Sequence, residues 1–489
     1  MVGSLALTAP AQAAPIGAFT TRGAWKFVSA PGLHPPKLKV ESRKPGLAGG
    51  DFLVASLPSV GTPGKMTGEG GPIIFDNKLR PVWFHGVGTQ VGAADLQQET
   101  FMGQPVLLWW EGVVNSTGAT TKGKLIVVNQ HYQTIGTLTA RSPWVISLHD
   151  ASIVPGTPNV WVTAYRKVKN QPLGGGRRGT VYDVGLQEYN LKTGKLIKTW
   201  DALNPGHKAR VPLSQSEQPP PSRSDVRHGA IWDAYHLNSA QLLPNGQLLV
   251  SMRNTWAVYL INPQTNKIIW TLGGKHSFFN FAKNAHFAWQ HHAVMLSNGD
   301  VTLFNDNCTV NSRGLDCVGG RPSTGMVLHL KLATRKATLV KAFHHDQNLH
   351  TAFLGSMQLL GNGGAVIGWG SLPFFSEYSR TGKQLLNVKW PGKDETYRAL
   401  YTGNWVGTPS YPPSGAVKGS KVYASWNGAT TVAKWQVLAG GSSNHLKVVG
   451  SKARSGFETV ITLSKSYRVY EVQALDSQGH VLKTSKTFS

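Results

Sequence analysis

Three histidines and an arginine stand at matching places in a chain whose turns repeat. His236 lies near the start of "YHLNSAQLLPNGQLLVSMRN" and Arg253 near its end, His291 stands seven residues before Asn298 in "FAWQHHAVMLSNGDVTLFND", and His149 stands six before Pro155 in "SPWVISLHDASIVPG". At about 3.3 Å per strand residue, the three imidazoles sit at similar heights above their turns. A neutral imidazole is a nucleophile or a general base, and a guanidinium presents a planar fork of donors that suits a tetrahedral oxyanion. With no carboxylate at these positions, the set reads as an anion-handling site. Three histidines would suffice in number for zinc, but a guanidinium beside the ion would repel it, so no metal is expected.

The elements that must hold these side chains follow from the turn signals. "SIVPGTPNVWV", "QLLPNGQLLV", "VMLSNGDVTLF" and "QLLGNGGAVIGW" read as hairpins, the last three with Asn-Gly at 245, 298 and 362. A second strand-turn-strand follows each, as in "NLKTGKLIKTW", "INPQTNKIIW", "LKLATRKATLV" and "YSRTGKQLLNV". Two hairpins per unit, repeated every fifty to sixty residues or about that, are the signature of a β-propeller. The expectation is an all-β protein: an extended segment at 15–69, a six-bladed propeller over 70–410, and a small β-sandwich of fibronectin or immunoglobulin type over 411–489, where "VYASWNGATTVAKWQVLAG" and "RVYEVQALDSQGHVLKTSKTF" alternate without the repeat's turns. In a blade the first strand lines the channel. A two-residue turn at Asn245-Gly246 would set Asn238 opposite Arg253 with His236 on the diagonal. The stretches from Lys167 to Arg178 and from Asn204 to Arg227 read as loops over one face.

Composition narrows the partners. The 489 residues carry 49 Lys plus Arg against 24 Asp plus Glu, a formal charge of +25 that draws anions towards a cleft. The basic residues are scattered, with no zinc-finger spacing or RNA-binding aromatic motif, so nucleic acid is not an expected partner. "MVGSLALTAPAQAAPIG" ends a short apolar piece in Ala11-Gln12-Ala13 and reads as the tail of an export signal over 1–14, which makes the protein secreted or extracytoplasmic. No apolar run is long enough to span a membrane. Cys308 and Cys317, the two cysteines, enclose eight residues and are expected to form a disulfide in an oxidising compartment; two thiols with no adjacent histidine do not make a metal site.

The stretch from Asp233 to Lys275, "DAYHLNSAQLLPNGQLLVSMRNTWAVYLINPQTNKIIWTLGGK", with "FAWQHHAV", "VTLFND", "VLLWWEG", "VIGWGSLPFFSEY" and "YASWNGAT", resembles the arylsulfotransferase family over nearly the whole chain from about residue 25. The combination of H-x-N-S, S-x-R-N, W-x-L-G-G-K and W-Q-H carries the likeness. It implies a six-bladed propeller whose histidine is transiently sulfurylated, sulfuryl transfer from a phenolic sulfate ester to a phenolic acceptor, and no cofactor. By matched motif the nucleophile falls on His291 and the helpers on His236, Arg253 and His149. Relatives commonly carry an acidic residue where His292 stands, so the tuning of His291 is open. Asn238, Tyr235, Trp289 and Trp256, with Phe375, are candidates for substrate contact, and His276, His286 and His292 for supporting positions. Two other readings stay open: a propeller that binds an anionic ligand without catalysis, and a hydrolase in which water takes the sulfuryl group.

Overall fold

The computed structural model describes residues 19–58, 66–89, 91–114, 120–311, 314–392 and 394–489, and the expected export signal at 1–14 falls outside them. Among the described residues the chain is all-β, with nine sheets and one short α-helix, Arg223–Arg227, started by a capping box between Ser222 and Asp225. None of its helices is long and apolar enough to cross a membrane.

Six sheets follow one another, antiparallel but for the short added strands Ile231–Trp232 and Asn280–Phe281, and all but the first are built outward from their first strand. The second sheet runs from Gly92–Phe101 to Thr134–Leu138, the third from Val145–Ile153 to Leu196–Asp201, the fourth from Leu237–Leu242 to Lys267–Gly273, the fifth from His291–Met295 to Lys336–His344, and the sixth from Ser356–Leu359 to Gln384–Lys389. The first sheet is composite. Asp51–Leu57, Gly71–Phe75 and Pro81–Phe84 are joined by Glu395–Thr402, which pairs with Asp51–Leu57 in the register Asp51↔Thr402. This sheet therefore begins at residue 51, upstream of the expected boundary at 70, and takes its innermost strand from the far end of the chain.

The innermost strands of consecutive sheets touch, and Glu395–Thr402 touches both Gly92–Phe101 and Ser356–Leu359, so the contacts return to their start. Each neighbouring pair of sheets shares a buried core. Trp83 and Trp109 lie between the first and second, Leu148 and Val162 with Leu108 between the second and third, Trp200 and Leu237 between the third and fourth, Leu249 and Leu303 between the fourth and fifth, Phe304 and Trp369 between the fifth and sixth, and Phe375 and Phe52 between the sixth and first. Burial on both faces explains why strands such as Val301–Asn305 read as continuous buried runs rather than alternating ones. Removing one of the large aromatics from such a core costs about 3–5 kcal/mol.

After residue 410 the pattern changes to period two. Lys434–Gly440 alternates buried and partly exposed residues, and two sheets of three and four strands enclose Val422, Trp435, Ile461, Tyr470 and Val472. This unit abuts the first two sheets through Asn427, whose side chain bonds the Phe84 backbone at 2.8 and 2.9 Å, and through Tyr132 Oη donating to Gly428 O at 2.8 Å.

Two local expectations are corrected. The turn after Leu242 is longer than two residues: Leu242 pairs with Leu248, Gly246 N donates to Leu243 O at 2.9 Å, and of its central residues only Gly246 has a positive φ (79°). Together with a bulge between Leu237 and Ser239, this sets Arg253 opposite His236, its N–H donating to His236 O at 2.9 Å, and not opposite Asn238. The segment from Lys167 to Arg178 is not a loop. Strands Asn159–Gly174 and Arg177–Asn190 continue through it as one long hairpin, while 204–227 carries the short helix.

Candidate active site

The inner strands bring the sequence-derived residues to one end of the sheet cluster. His291 opens the first strand of the fifth sheet, His236 immediately precedes that of the fourth, and His149 lies within that of the third. The ring centroids of His149 and His236 are 5.0 Å apart, and those of His236 and His291 are 6.4 Å apart. Backbone strain gathers here too. His236 (φ 52°), Trp289 (57°), His292 (49°) and Leu354 (65°) are non-glycine residues in the left-handed region, each costing roughly 1–3 kcal/mol that the surrounding packing must offset.

The two nitrogens of His291 have distinct partners. Leu354 N–H donates to Nε2 at 3.3 Å, which assigns the ring proton to Nδ1, and Nδ1–H donates to Asp306 Oδ2 at 2.7 Å. Both side chains are fully buried. Burial holds His291 well below the ordinary histidine value, and Arg253, His236 and His149 add to the effect. Burial also pushes Asp306 up, against the pull of Arg253. The outcome is a neutral imidazole with its lone pair on Nε2 and its orientation fixed by a carboxylate. Leu354 is held in turn by close packing at Gly370 (φ 56°), where a Cβ would lie 2.4 Å from Phe353 O.

His236 repeats the arrangement in a more open setting. Its Nδ1 lies 2.5 Å from Asp233 Oδ2, and its backbone N–H donates to Asp233 Oδ1 at 3.1 Å. His149 bonds Ser147 Oγ through Nδ1 and is held well below the ordinary value by burial, with His236 and Arg398 adding to it. Arg253 donates to Asn254 Oδ1 (2.7 Å), Thr309 Oγ1 (3.0 Å) and Ala352 O (2.7 Å), and its guanidinium lies 4.6 Å from the Trp289 ring centre. Its buried Nε has no partner among the described residues. Burial works against the charge on Arg253, and the carboxylates of Asp306 and Asp233 work for it.

The site is thus not free of carboxylates, as the sequence positions alone implied. Asp306 follows the second strand of the fifth sheet and Asp233 reaches back from the turn before His236; neither shows in a count of strand positions. Trp289 lies under Arg253 and meets Trp256 edge-on at 5.2 Å. Asn238 is a strut, its Nδ2 donating to Gln290 O at 2.7 Å. Tyr235 and Phe375 are core residues: the Tyr235 hydroxyl is taken by Val211 O at 2.7 Å, and Phe375 packs on Phe52 at 5.3 Å. His286 stacks on Phe281, His276 is exposed, and His292 is buried with Nδ1 accepting from Met357 N. The aromatic rings that do face the histidines are Tyr165, 5.9 Å from His149 and 6.3 Å from His236, and Tyr397, 5.4 Å from His149 and 6.5 Å from His291. Beside Tyr397, Arg398 is buried among Asp95, Asp150 and the Asn238 carbonyl.

Cys308 and Cys317 are joined in a disulfide that ties a small hairpin, Cys308–Asn311 with Gly314–Cys317, beside the site. Thr309 on that hairpin is one of the residues that accept from Arg253. The fold also supplies the histidine that the local sequence lacks: His350 Nδ1 lies 3.4 Å from Cys317 Sγ, making the cluster one that reduced cysteines could offer to a metal.

A protein-family model described as arylsulfotransferase (ASST) matches residues 97–390. No curated protein matches the chain at a significant level. Solved structures resemble it distantly: a protein of unknown function from Bacteroides caccae is 12% identical, with a TM-score of 0.41, covering 72% of this chain and 99% of that one. A protein from Lactobacillus plantarum is 10% identical, with a TM-score of 0.36 and coverage of 85% and 100%; hydrazine synthase of Kuenenia stuttgartiensis is 11% identical, with a TM-score of 0.34 and coverage of 63% and 70%. Likeness at that level speaks to neither activity nor substrate. The family match is of another kind, since it runs from the second sheet to just past the last strand of the sixth and takes in His149, His236, Arg253, His291 and Asp306, and on that ground the chain belongs to the arylsulfotransferase family.

Proposed function

We propose that the chain moves a sulfuryl group from a phenolic sulfate ester to a phenolic acceptor in two half-reactions through a sulfohistidine at His291. In the first, His291 Nε2 attacks sulfur, the N–S bond forms, the S–O(aryl) bond breaks and a phenolate leaves. Arg253 and His149 stabilise the charge on the sulfuryl oxygens. The Leu354 N–H, released from Nε2 as the N–S bond forms, turns to a sulfuryl oxygen. In the second half-reaction the acceptor phenol gives its proton to His236, its oxygen attacks sulfur, and the N–S bond breaks; His236, oriented by Asp233, returns the proton to the departing phenolate of the next donor. Trp289, Trp256, Tyr165 and Tyr397 are the aromatic surfaces for donor and acceptor rings.

The observation that carries this reading is the pairing at His291, with Nδ1 spent on Asp306, Nε2 left as the ring's acceptor and held by the Leu354 N–H, and Arg253, whose Nε has no partner among the described residues, near enough to act on the ring. The cyclic contacts of the inner strands support a six-bladed propeller as the catalytic unit, from Asp51 to Thr402, with the strands after residue 410 as an accessory sandwich. The disulfide is compatible with an exported protein. Incubation with an aryl sulfate and no acceptor should add one sulfuryl group to the protein, acid-labile and lost when a phenol is added. Turnover that yields free sulfate at the same rate with and without phenol would mean that water is the acceptor, and an adduct on His236 would move the nucleophile there.

A further inference from the structure

Beneath the histidines the strand Glu395–Thr402 contributes two adjacent side chains to the centre of the sheet cluster. Tyr397 Oη donates to Asn238 O at 2.5 Å, and its ring meets those of His149 and His291. Arg398 donates to Asp95 Oδ1 (3.0 Å), to Asp150 Oδ2 (2.9 Å) and to the same Asn238 carbonyl (3.2 Å), and its side chain is 2% exposed. One guanidinium, carried on the first sheet, thus ties together the inner strands of the second, third and fourth. Asp95, Tyr397 and Arg398 lie outside the family match, which covers residues 97–390.

A cation there has electrostatic work to do. Asp150 directly follows His149 in the chain, and its carboxylate, 9% exposed, also accepts from Gln97 and from the Ala240 N–H; without a counter-charge it would favour protonation of imidazoles nearby. Burial pushes Asp95 up to about 8, with Arg398 opposing, so that the guanidinium faces two carboxyl groups, Asp95 and Asp150. Burial works against the charge on Arg398 as well, but Asp150 and Asp95 more than offset it, and it stays protonated. Its field reaches three imidazoles, His149, His291 and His292, and opposes their protonation. The other groups facing His291 are Asp306, Arg253, His236, His149 and Tyr397; those facing His149 are Ser147, His236, Tyr165 and Tyr397.

We propose that Arg398 is a positioning residue for sulfuryl transfer, a buried cation 5.0 Å from the Tyr397 ring that ties the inner strands of three sheets together beside the histidines and balances the charge of Asp150 there. The inference rests on His291 as the nucleophile and adds the group that keeps it ready.

The test is the pH dependence of sulfohistidine formation in single-turnover experiments with an aryl sulfate. In Arg398→Met the pH at which the rate is half lost on acidification should rise by about one unit, and the deficit should vanish at alkaline pH. Arg398→Lys keeps the charge and should keep the wild-type midpoint. Asp150→Asn should move the midpoint down, and the double variant Asp150→Asn/Arg398→Met, in which both charges are gone, should return it close to wild type. Titration of His291 by nitrogen NMR, assigned by difference with His291→Asn, reads the same shift without turnover; a wild-type protein that forms no adduct therefore counts against the nucleophile and leaves Arg398 to be judged by the NMR shift. A folded Arg398→Met enzyme equally slow at every pH, with an unmoved His291 titration, overturns the proposal. Should Arg398→Met fail to fold, an Asp150→Asn midpoint equal to wild type overturns it instead.

Discussion

Two histidines in this molecule share one arrangement and differ in their access to water. His291 and His236 each bond an aspartate through Nδ1, at 2.7 and 2.5 Å. The His291–Asp306 side chains are 0% exposed, whereas His236 and Asp233 are 11% and 13% exposed. Sealing strengthens every fixed charge near His291 and keeps its tautomer from exchanging with solvent, which suits a group that must form a covalent bond. Partial exposure leaves His236 able to pass a proton to and from incoming and outgoing phenols, which suits an acid and base. On the proposed mechanism, burial is what would divide the same pair of residue types between two tasks.

Variants at each pair can break this division. His291→Asn should abolish both the sulfuryl adduct and turnover, because the two half-reactions share one intermediate; intact-protein mass and phenol release read them together. Asp306→Asn should come next, with sulfohistidine formation slowed by about 10³-fold because the amide does not fix the Nδ1–H tautomer. A stopped-flow burst of phenol is the measurement, and a loss smaller than that of the exposed pair would reverse the assignment of roles. Arg253→Lys keeps a charge but loses the fork, and should slow the first half-reaction by about 10²-fold while the adduct still forms. Asp233→Asn should cost about tenfold in both half-reactions, because His236 takes the acceptor's proton and returns it to the donor's phenolate. Slowing confined to one half-reaction in that variant would limit His236 to that one. Val448→Ser, at an exposed position of the C-terminal sandwich, should leave every rate unchanged.

The division between legible and hidden residues follows the same physics. His149, His236 and His291 stand on or at the edge of first strands, so a count back from each turn finds them, and Arg253 follows from its hairpin. Even there the exact pairing slipped, because the turn after Leu242 and the bulge at Asn238 each displace the register. Asp306 and Asp233 lie beyond strand ends, where a partner is chosen by tertiary approach; the Asn-Asp at the end of "VTLFND" was the available signal for the first. The aromatic candidates divided by burial, a property that residue type does not carry: Tyr235 and Phe375 went to the core, while Tyr165 and Tyr397 came to the site. The sheet repeat was readable from its turns, but its start at residue 51 was not, since the first sheet is completed by a strand from the opposite end of the chain.

That shared first sheet has a consequence for how the protein acquires activity. Ala55 N bonds Thr396 Oγ1 across a sequence separation of 341 residues, and the strand that makes this closure also delivers Tyr397 and Arg398. Closing so long a loop costs little more free energy than closing one half its length, about 0.6 kcal/mol per doubling, yet contacts this distant form late and slowly. A chain emerging from its N-terminus can pair the hairpins of five sheets and still hold three histidines around an unfinished floor. The surroundings of the histidine cluster are therefore completed only with the pairing of the first sheet, and a polypeptide stopped short of residue 395 would contain His149, His236 and His291 without Tyr397 and Arg398 beside them.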